Sequence, residues 1–443
     1  MSGYENYTLS PVPWIKQMPG HWGLVRGKNL YQKMQRPTSD TDEVVTCFRD
    51  GTVTLRKNRR TTGFTESLKE IGYQGIRKGD LVIHVMDAFA GSMGVSDSDG
   101  KGTPVYSVCQ AKGNSNNQYY ALLLREMARS GYIQSLYRGI RERSSDFRFE
   151  VFAAQFYPVP PREEQDQIVR FLDWKVSSIN KLIAVKQKQI ATLKEFMQAE
   201  IEKQLYAYPV VSVVRLKQLG TFFKGGGFSR DNLIEDEEYP AILYGDIYTQ
   251  YEYKTSIITH HIDGTAYSAS RKILKGDIVM AGTGETKDEI GKSILYMGDQ
   301  IVAAGGDVIV FHPNEGINVE YLLYQLYSQA ALKHRYINGK GDIIVHIYPT
   351  ALGNTIITLP GEADQNKVVA RINEIIDQVK KAIAVLTDEI SVLREYRVRL
   401  VADTVTGKID VRGIEIPEYE FVDEDADADN EDDGEEDTEE QED

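Results

Sequence analysis

Only two of the 443 residues are cysteine, Cys47 and Cys109, and they stand in no zinc or disulfide spacing. A scaffold stapled by metal or disulfides is therefore not expected, and a reducing compartment fits. No apolar run approaches the roughly 18 residues needed to span a bilayer. The first residues lack the basic and apolar stretches of a signal peptide. These absences lead to the expectation of a soluble, cytoplasmic protein. Acids outnumber bases, 66 against 51, giving a formal net charge of −15.

That charge is unevenly placed. Residues 413–443 hold 18 acids and no Lys or Arg, so the other 412 residues set 51 basic against 48 acidic side chains, a net +3. Residues 1–160 are about +6 and residues 206–360 about −4, so charge alone gives poor grounds for nucleic-acid binding by the second stretch. The segment Glu418–Asp443 has too little apolar surface to fold, which makes 413–443 an acidic disordered tail. It reads either as a solubilising appendage or as a polyanion that competes with nucleic acid for basic surface.

What is present is a repeat. Pro160–Leu205 moved forward by 200 residues falls on Pro360–Val405 without a gap. Gln165 meets Gln365, Ile183-Ala184-Val185 meets Ile383-Ala384-Val385, and Ile190, Leu193 and Glu195 meet Ile390, Leu393 and Glu395. Apolar residues recur at Ile168, Leu172, Val176, Ile179, Ile183, Ile190, Leu193, Met197 and Ile201. In the second copy they recur at Val368, Ile372, Ile376, Val379, Ile383, Leu386, Ile390, Leu393 and Leu400. Spacings of three and four over about five heptads make a coiled-coil seam. Each stretch starts after proline, holds no internal Gly or Pro, and predicts a rod of roughly 65 Å. One amphipathic rod cannot cover its own stripe, so the two copies are natural partners. A pseudo-two-fold axis between the halves requires them to run antiparallel. The competing arrangements are a parallel homodimer zipper and helices lying flat on their own domains.

Each rod follows about 150 residues of mixed strand and loop. Glu43–Phe48, Thr52–Arg56 and Leu81–Met86 read as strands, Tyr119–Ser130 as a helix, and Phe152–Val159 as a closing strand. The second stretch repeats the plan. Lys275-Gly276-Asp277 stands for Lys78-Gly79-Asp80, Gly291 for Gly94, the predicted helix Tyr321–Gln329 for Tyr120–Ala128, and Thr355–Leu359 for the closing strand. The fold class is α/β (α+β) and duplicated, with globular domains at 1–159 and 207–359, helical spacers at 160–206 and 360–412, and the tail at 413–443.

Pro158-Val-Pro-Pro161, Glu164-Gln165, Ile168 and Phe171-Leu-Asp173, together with Val405-Thr-Gly-Lys-Ile-Asp-Val-Arg412, resemble the specificity subunit of type I restriction–modification enzymes. Gly139-Ile-Arg141 with Phe147–Phe152, and Gly245-Asp-Ile247, resemble that family's target recognition domains. Leu359-Pro-Gly-Glu-Ala-Asp-Gln365 departs from the pattern in having one proline where the family usually has two, and the acidic tail lies outside the pattern. The resemblance implies a non-catalytic reader of double-stranded DNA. Each recognition domain would read one half of a bipartite, interrupted target, and the rods would set the gap and dock two methyltransferase subunits. Motor-nuclease subunits would complete the assembly. S-adenosylmethionine, ATP and Mg would be used by the partners, with no cofactor in this chain and no membrane partner.

Candidate DNA contacts follow from residue chemistry. Arg56-Lys57-Asn58-Arg59-Arg60 can neutralise phosphates and fork onto bases, or can be a solvated hairpin turn. Asn114, Asn116 and Asn117 offer amides, or form an ordinary polar loop. Lys224-Gly-Gly-Gly-Phe-Ser229-Arg230 offers close backbone approach to phosphate. Tyr244, Tyr248, Tyr251 and Tyr253 with Lys254 form an aromatic loop suited to sugars and bases, although alternating tyrosines are also ordinary strand composition. The run Gly284–Ser293 misses the phosphate-loop spacing because Thr286 stands where glycine is required. His260-His261 has no companion ligands, so no metal is expected, and no catalytic constellation is visible. The rival readings are a single-chain DNA methyltransferase and a homodimeric coiled-coil scaffold.

Overall fold

The computed structural model describes residues 3–59, 71–136, 146–236 and 238–423. Two helices of equal length, Arg162–Leu205 and Glu362–Val405, stand 200 residues apart, as the repeat requires. The chain forms two compact units, Met1–Lys186 with Thr387–Asp443, and Gln187–Leu386, so each unit holds one half of each rod. Among the described residues no helix is long and apolar enough to cross a membrane.

In the first unit an antiparallel sheet runs in the order Tyr31–Lys33, Tyr106–Ala111, Leu81–His84, Met93–Val95. The strands expected at Glu43–Phe48 and Thr52–Arg56 are shorter, Val45–Cys47 and Val53–Leu55, and pair antiparallel. Cys47 and Cys109 are buried free thiols within these strands. The helix Asn117–Arg129 buries Tyr119, Tyr120, Leu123, Leu124 and Met127. Part of the expected strand Phe152–Val159 is helical, because Phe149–Ala154 coils and only Phe156–Val159 pairs, with Gly23–Arg26.

The rod halves in this unit are antiparallel. Lys186 Nζ lies 2.6 Å from Glu389, and Arg397 Nη1 donates to Asn180 Oδ1 at 2.8 Å, so the numbers rise on one helix as they fall on the other. Across both units, eight of the twelve seam positions are buried: Ile168, Leu172, Ile179, Ile183, Val368, Ile372, Val379 and Ile390. Ile190, Leu193, Ile383 and Leu393 are half-buried.

The second unit has two five-stranded sheets. One runs Gly220–Lys224, Val308–Pro313, Ile278–Ala281, Ser293–Tyr296, Lys254–Thr255, with only its last pair parallel. The other runs Leu233–Ile234, His260–Ile262, Tyr239–Ile242, Val302–Ala304, Arg271–Ile273. Successive residues of a strand face opposite sides, and in the first sheet both sides are buried across Ile278–Ala281, Ser293–Tyr296 and residues 308–311. Ile278, Met280, Ile309, Phe311 and Leu295 pack into a cluster with Ile201, Leu205, Val368 and Ile372 of the rods. Val279, Ala281, Val308, Val310 and Ile294 pack with Ile242, Val302 and Ala304 of the second sheet.

The repeated Lys-Gly-Asp turns are alike in detail. Gly79 and Gly276 both have φ +90°, a conformation that favours glycine. Asp80 accepts from the Arg77 amide and Asp277 from the Leu274 amide, each at 2.8 Å. The other matches are looser. Gly94 pairs with Val82 inside a strand, whereas the residue facing Val279 is Ile294, and Gly291 lies in the turn before it. The offset has grown from 197 to 200 within that loop. The helix expected at Tyr321–Gln329 is broken: Val319–Gln325 ends, and Ser328 caps a second helix, Gln329–Asn338, by accepting from the Ala331 amide.

The tail expectation also needs correction. Residues 413–423 lie against the first rod, with Ser177 and Asn180 bonded to Glu420 and Val422. Residues 424–443 lie outside the described residues.

A buried carboxylate fixes the N-terminal segment to the first rod. Glu164, 4% exposed, accepts from Tyr4 Oη at 2.5 Å and Trp22 Nε1 at 2.9 Å, and its other oxygen lies 2.7 Å from His21 Nε2. Glu164→Ala strands these donors and is expected to cost about 3 kcal/mol. Urea unfolding measures it, and a loss within experimental error would show that the cluster contributes no stability.

Candidate nucleic-acid interface

The basic cluster Arg56–Asn58 is a single 3-10 turn after the strand Val53–Leu55. Its charges are largely answered within the unit. Lys57 Nζ donates to Glu43 at 2.7 Å, Arg59 pairs with Asp50 and stacks over Phe48 with 4.6 Å to the ring centre, and Arg56 Nε donates to Thr46 at 3.3 Å. Asn58 donates to Thr54 at 2.9 Å. Lys57 is the most solvent-exposed of these cations. Arg60 lies outside the described residues.

The three asparagines hold the fold together. Asn114 accepts from Arg162 at 2.9 Å. Asn116 caps the helix Asn117–Arg129 through the Gln118 and Tyr119 amides, and its Nδ2 donates to Asp166 at 2.7 Å. Asn117 accepts from Tyr31 and donates to the Gly79 carbonyl. Their amides join the helix start, the Lys-Gly-Asp turn and the first rod, which is the polar-loop alternative with a definite structural role.

The aromatic segment is not a loop, since Tyr244–Thr249 is helical. Tyr251 is buried in the core between the sheets, where Tyr248 also packs. Tyr253 packs against Tyr327, with ring centres 4.8 Å apart, and burial pushes its phenol up to about 12. Lys254 is held by Glu320 and Asn373, both at 2.8 Å. Only Tyr244 of the four tyrosines is exposed.

The glycine loop keeps an open face. A Cβ on Gly225 would meet the Gly305 carbonyl at 2.3 Å, so the chains approach closely because a side chain is lacking. Ser229 precedes the turn Arg230–Asn232, and its amide donates to Asn232 Oδ1. Arg230 is exposed and has no ion-pair partner among the described residues. Lys224 lies 2.7 Å from Asp307, which has φ +59°. Burial pushes the Asp307 carboxyl up, but Lys224 and Thr283 outweigh it and hold the group below its ordinary value. Thr283 Oγ1 lies 2.9 Å from His346 Nδ1, extending this polar row to residues far apart in sequence.

The second unit also has an open pocket of about 590 Å³ lined by Gln250, Glu252, Lys254, Lys292 and Lys380. Burial lowers the Lys292 ammonium, whose Nζ donates to the Tyr248 carbonyl at 3.1 Å. Asp307, His346 and Lys380 were not singled out from sequence, and Lys292 entered only within the declined run Gly284–Ser293. Only long-range folding brings Asp307 and His346 into one row and Lys292 and Lys380 into one pocket.

Residues 210–393 match the family of type I restriction modification DNA specificity domains. No curated protein matches the chain by sequence. Among solved structures, the chain is similar to one from a study of complex assembly and conformational transition of the type I R-M system. That match has a TM-score of 0.65 and 15% identity, covering 88% of this chain and 99% of that one. The HsdS subunit from Thermoanaerobacter tengcongensis matches with a TM-score of 0.48 and 16% identity, covering 88% and 98%. The chain thus shares the fold of the first of these, and it resembles the specificity subunit of type I restriction–modification enzymes.

Two tyrosines distinguish contact from packing. Tyr251→Ala is expected to cost about 3 kcal/mol of stability, whereas Tyr244→Ala leaves the unfolding midpoint within error. Denaturant unfolding of the two variants decides this, and equal losses would contradict the assignment.

Proposed function

We propose that the chain is the DNA-specificity subunit of a type I restriction–modification complex. The observation that carries this reading is the specificity-domain match over residues 210–393, set within a duplicated unit-plus-rod plan. Each unit reads one half of an asymmetric, interrupted DNA target. The rods match between the halves far better than the globular stretches do, so a repeated frame carries two unlike readers. In the second unit the groups suited to DNA are the exposed Arg230, Tyr244 and Lys224, with the half-buried Asp307 and His346 completing the row. Cationic and hydroxyl groups position phosphates, and forked donors read base edges. Two methyltransferase subunits dock on the rods and supply S-adenosylmethionine chemistry, while motor-nuclease subunits supply ATP-driven cleavage. The chain itself performs no methyl transfer.

The test combines the purified chain with its methyltransferase subunit and maps methylated adenines. A bipartite motif is expected with the partner, and no transfer of labelled methyl to DNA without it. Turnover by the chain alone would favour the single-chain methyltransferase. The rods also make a metric prediction. Removing seven residues from both shortens them by about 10.5 Å, or roughly 3 bp of duplex, and the unread gap of the target is expected to contract accordingly or binding to fail. An unchanged gap in that variant would rule out the spacer role. Arg230→Ala is expected to weaken binding about fivefold at low salt and less as salt rises, measured by fluorescence anisotropy.

A further inference from the structure

The C-terminal segment runs alongside the first rod in the same direction. Gln167 Nε2 donates to the carbonyls of Val411 and Ile414 at 3.1 and 2.7 Å. Ser177 Oγ donates to the Glu420 carbonyl at 3.0 Å and accepts from the Val422 amide at 2.6 Å. Asn180 Nδ2 donates to the Val422 carbonyl at 3.2 Å, and Lys181 lies 3.3 Å from the Glu420 carboxylate. Ser177 and Asn180 are only 2% and 6% exposed, so this strap covers and satisfies two polar groups. Its hold is mainly polar. Ile414, Ile416 and Val422 are half-buried, Tyr419 and Phe421 are exposed, and no residue of 413–423 is fully buried.

The equivalent places on the second rod, 200 residues on, are Lys367, Asp377, Lys380 and Lys381, and all four are exposed. They pair with side chains, namely Asp364, each other, or Glu252, instead of with a chain end. Beside these places both rods keep the same apolar residue uncovered off the seam. Val185 is 50% exposed, with Leu182 beside it at 52%, and Val385 is 58% exposed. Residues four apart on a helix are neighbours, so Val185 stands one turn beyond Lys181, where the strap ends.

We propose that two methyltransferase subunits bind this chain with unequal affinity, because residues 413–423 occupy the first rod from Gln167 to Lys181, one turn short of Val185, while among the described residues no such segment lies on the matching positions Lys367 to Lys381 below Val385. This inference rests on the specificity-subunit reading, which supplies the partner. The repeat offers two like apolar footholds and hence two like partners. The first partner takes the foothold at Val385, and the second must displace the strap. Displacement exchanges the strap's few hydrogen bonds for partner contacts, and a tenfold weaker second step corresponds to about 1.4 kcal/mol.

The experiment titrates the full chain with the purified methyltransferase subunit by calorimetry and counts bound subunits by native mass spectrometry. Two steps differing by about tenfold or more are expected. Truncation after Arg412 should bring them within about threefold by tightening the second step. Truncation after Asp423 keeps the strap, removes the 14 acids beyond it, and should preserve the inequality. Ser177→Val should fall between these cases, and the Val422 amide should lose hydrogen-exchange protection only when the second subunit binds. Two equal steps in the full chain, or an inequality that survives truncation after Arg412, would overturn the inference and leave the specificity reading intact. Equal steps already in the chain ending at Asp423 would assign the effect to the acidic run and overturn it too. Failure to bind any methyltransferase subunit would overturn both.

Discussion

The structure depends on the rods being rooted in hydrophobic cores, as well as paired with each other. Ile201, Leu205, Val368 and Ile372 belong to the same cluster as Ile278, Met280 and Phe311, so the helix ends and the central sheet of the second unit share one desolvated volume. A helix pair sealed only along a narrow stripe is marginal and free to slide. Ends embedded in a packed domain cannot slide without opening it. In the first unit the same task falls to Ile168, Phe171 and Leu172, with the Glu164 cluster tying the N-terminal segment to the rod.

The rods were legible because a 3.5-residue apolar period is a local signal that no distant contact needs to complete, and their antiparallel pairing because the duplication implies a two-fold axis between the halves. The Lys-Gly-Asp turns were legible for a related reason: glycine at φ +90° and an aspartate accepting its own neighbour's amide are settled within four residues. The pairing of Gly94 with Gly291 failed because three residues were gained in a loop, which a fixed offset cannot register. The helix break at Ser328 was hidden because serine caps a helix only when the chain before it turns away, and that depends on packing.

Site residues were read less well than the frame, for a physical reason. Arginine, asparagine and tyrosine each serve equally in binding and in holding a fold. Arg59 is paired to Asp50, Asn116 caps a helix, and Tyr251 fills a core. Each of those partners is chosen by tertiary structure. Asp307 and His346 had no local mark, although the positive φ of Asp307 is the kind of backbone feature that accompanies functional sites once coordinates exist.

The inner strands of the second unit's central sheet are buried on both faces, with alternate residues of Ile278–Ala281 assigned to two different cores. Such a strand has no wet side on which a polar replacement could be absorbed. Sequence change is thereby excluded from these strands and confined to the rims, where glycine loops and short helices can be exchanged without breaching either core. The same doubling that makes the platform rigid leaves its rims free to vary.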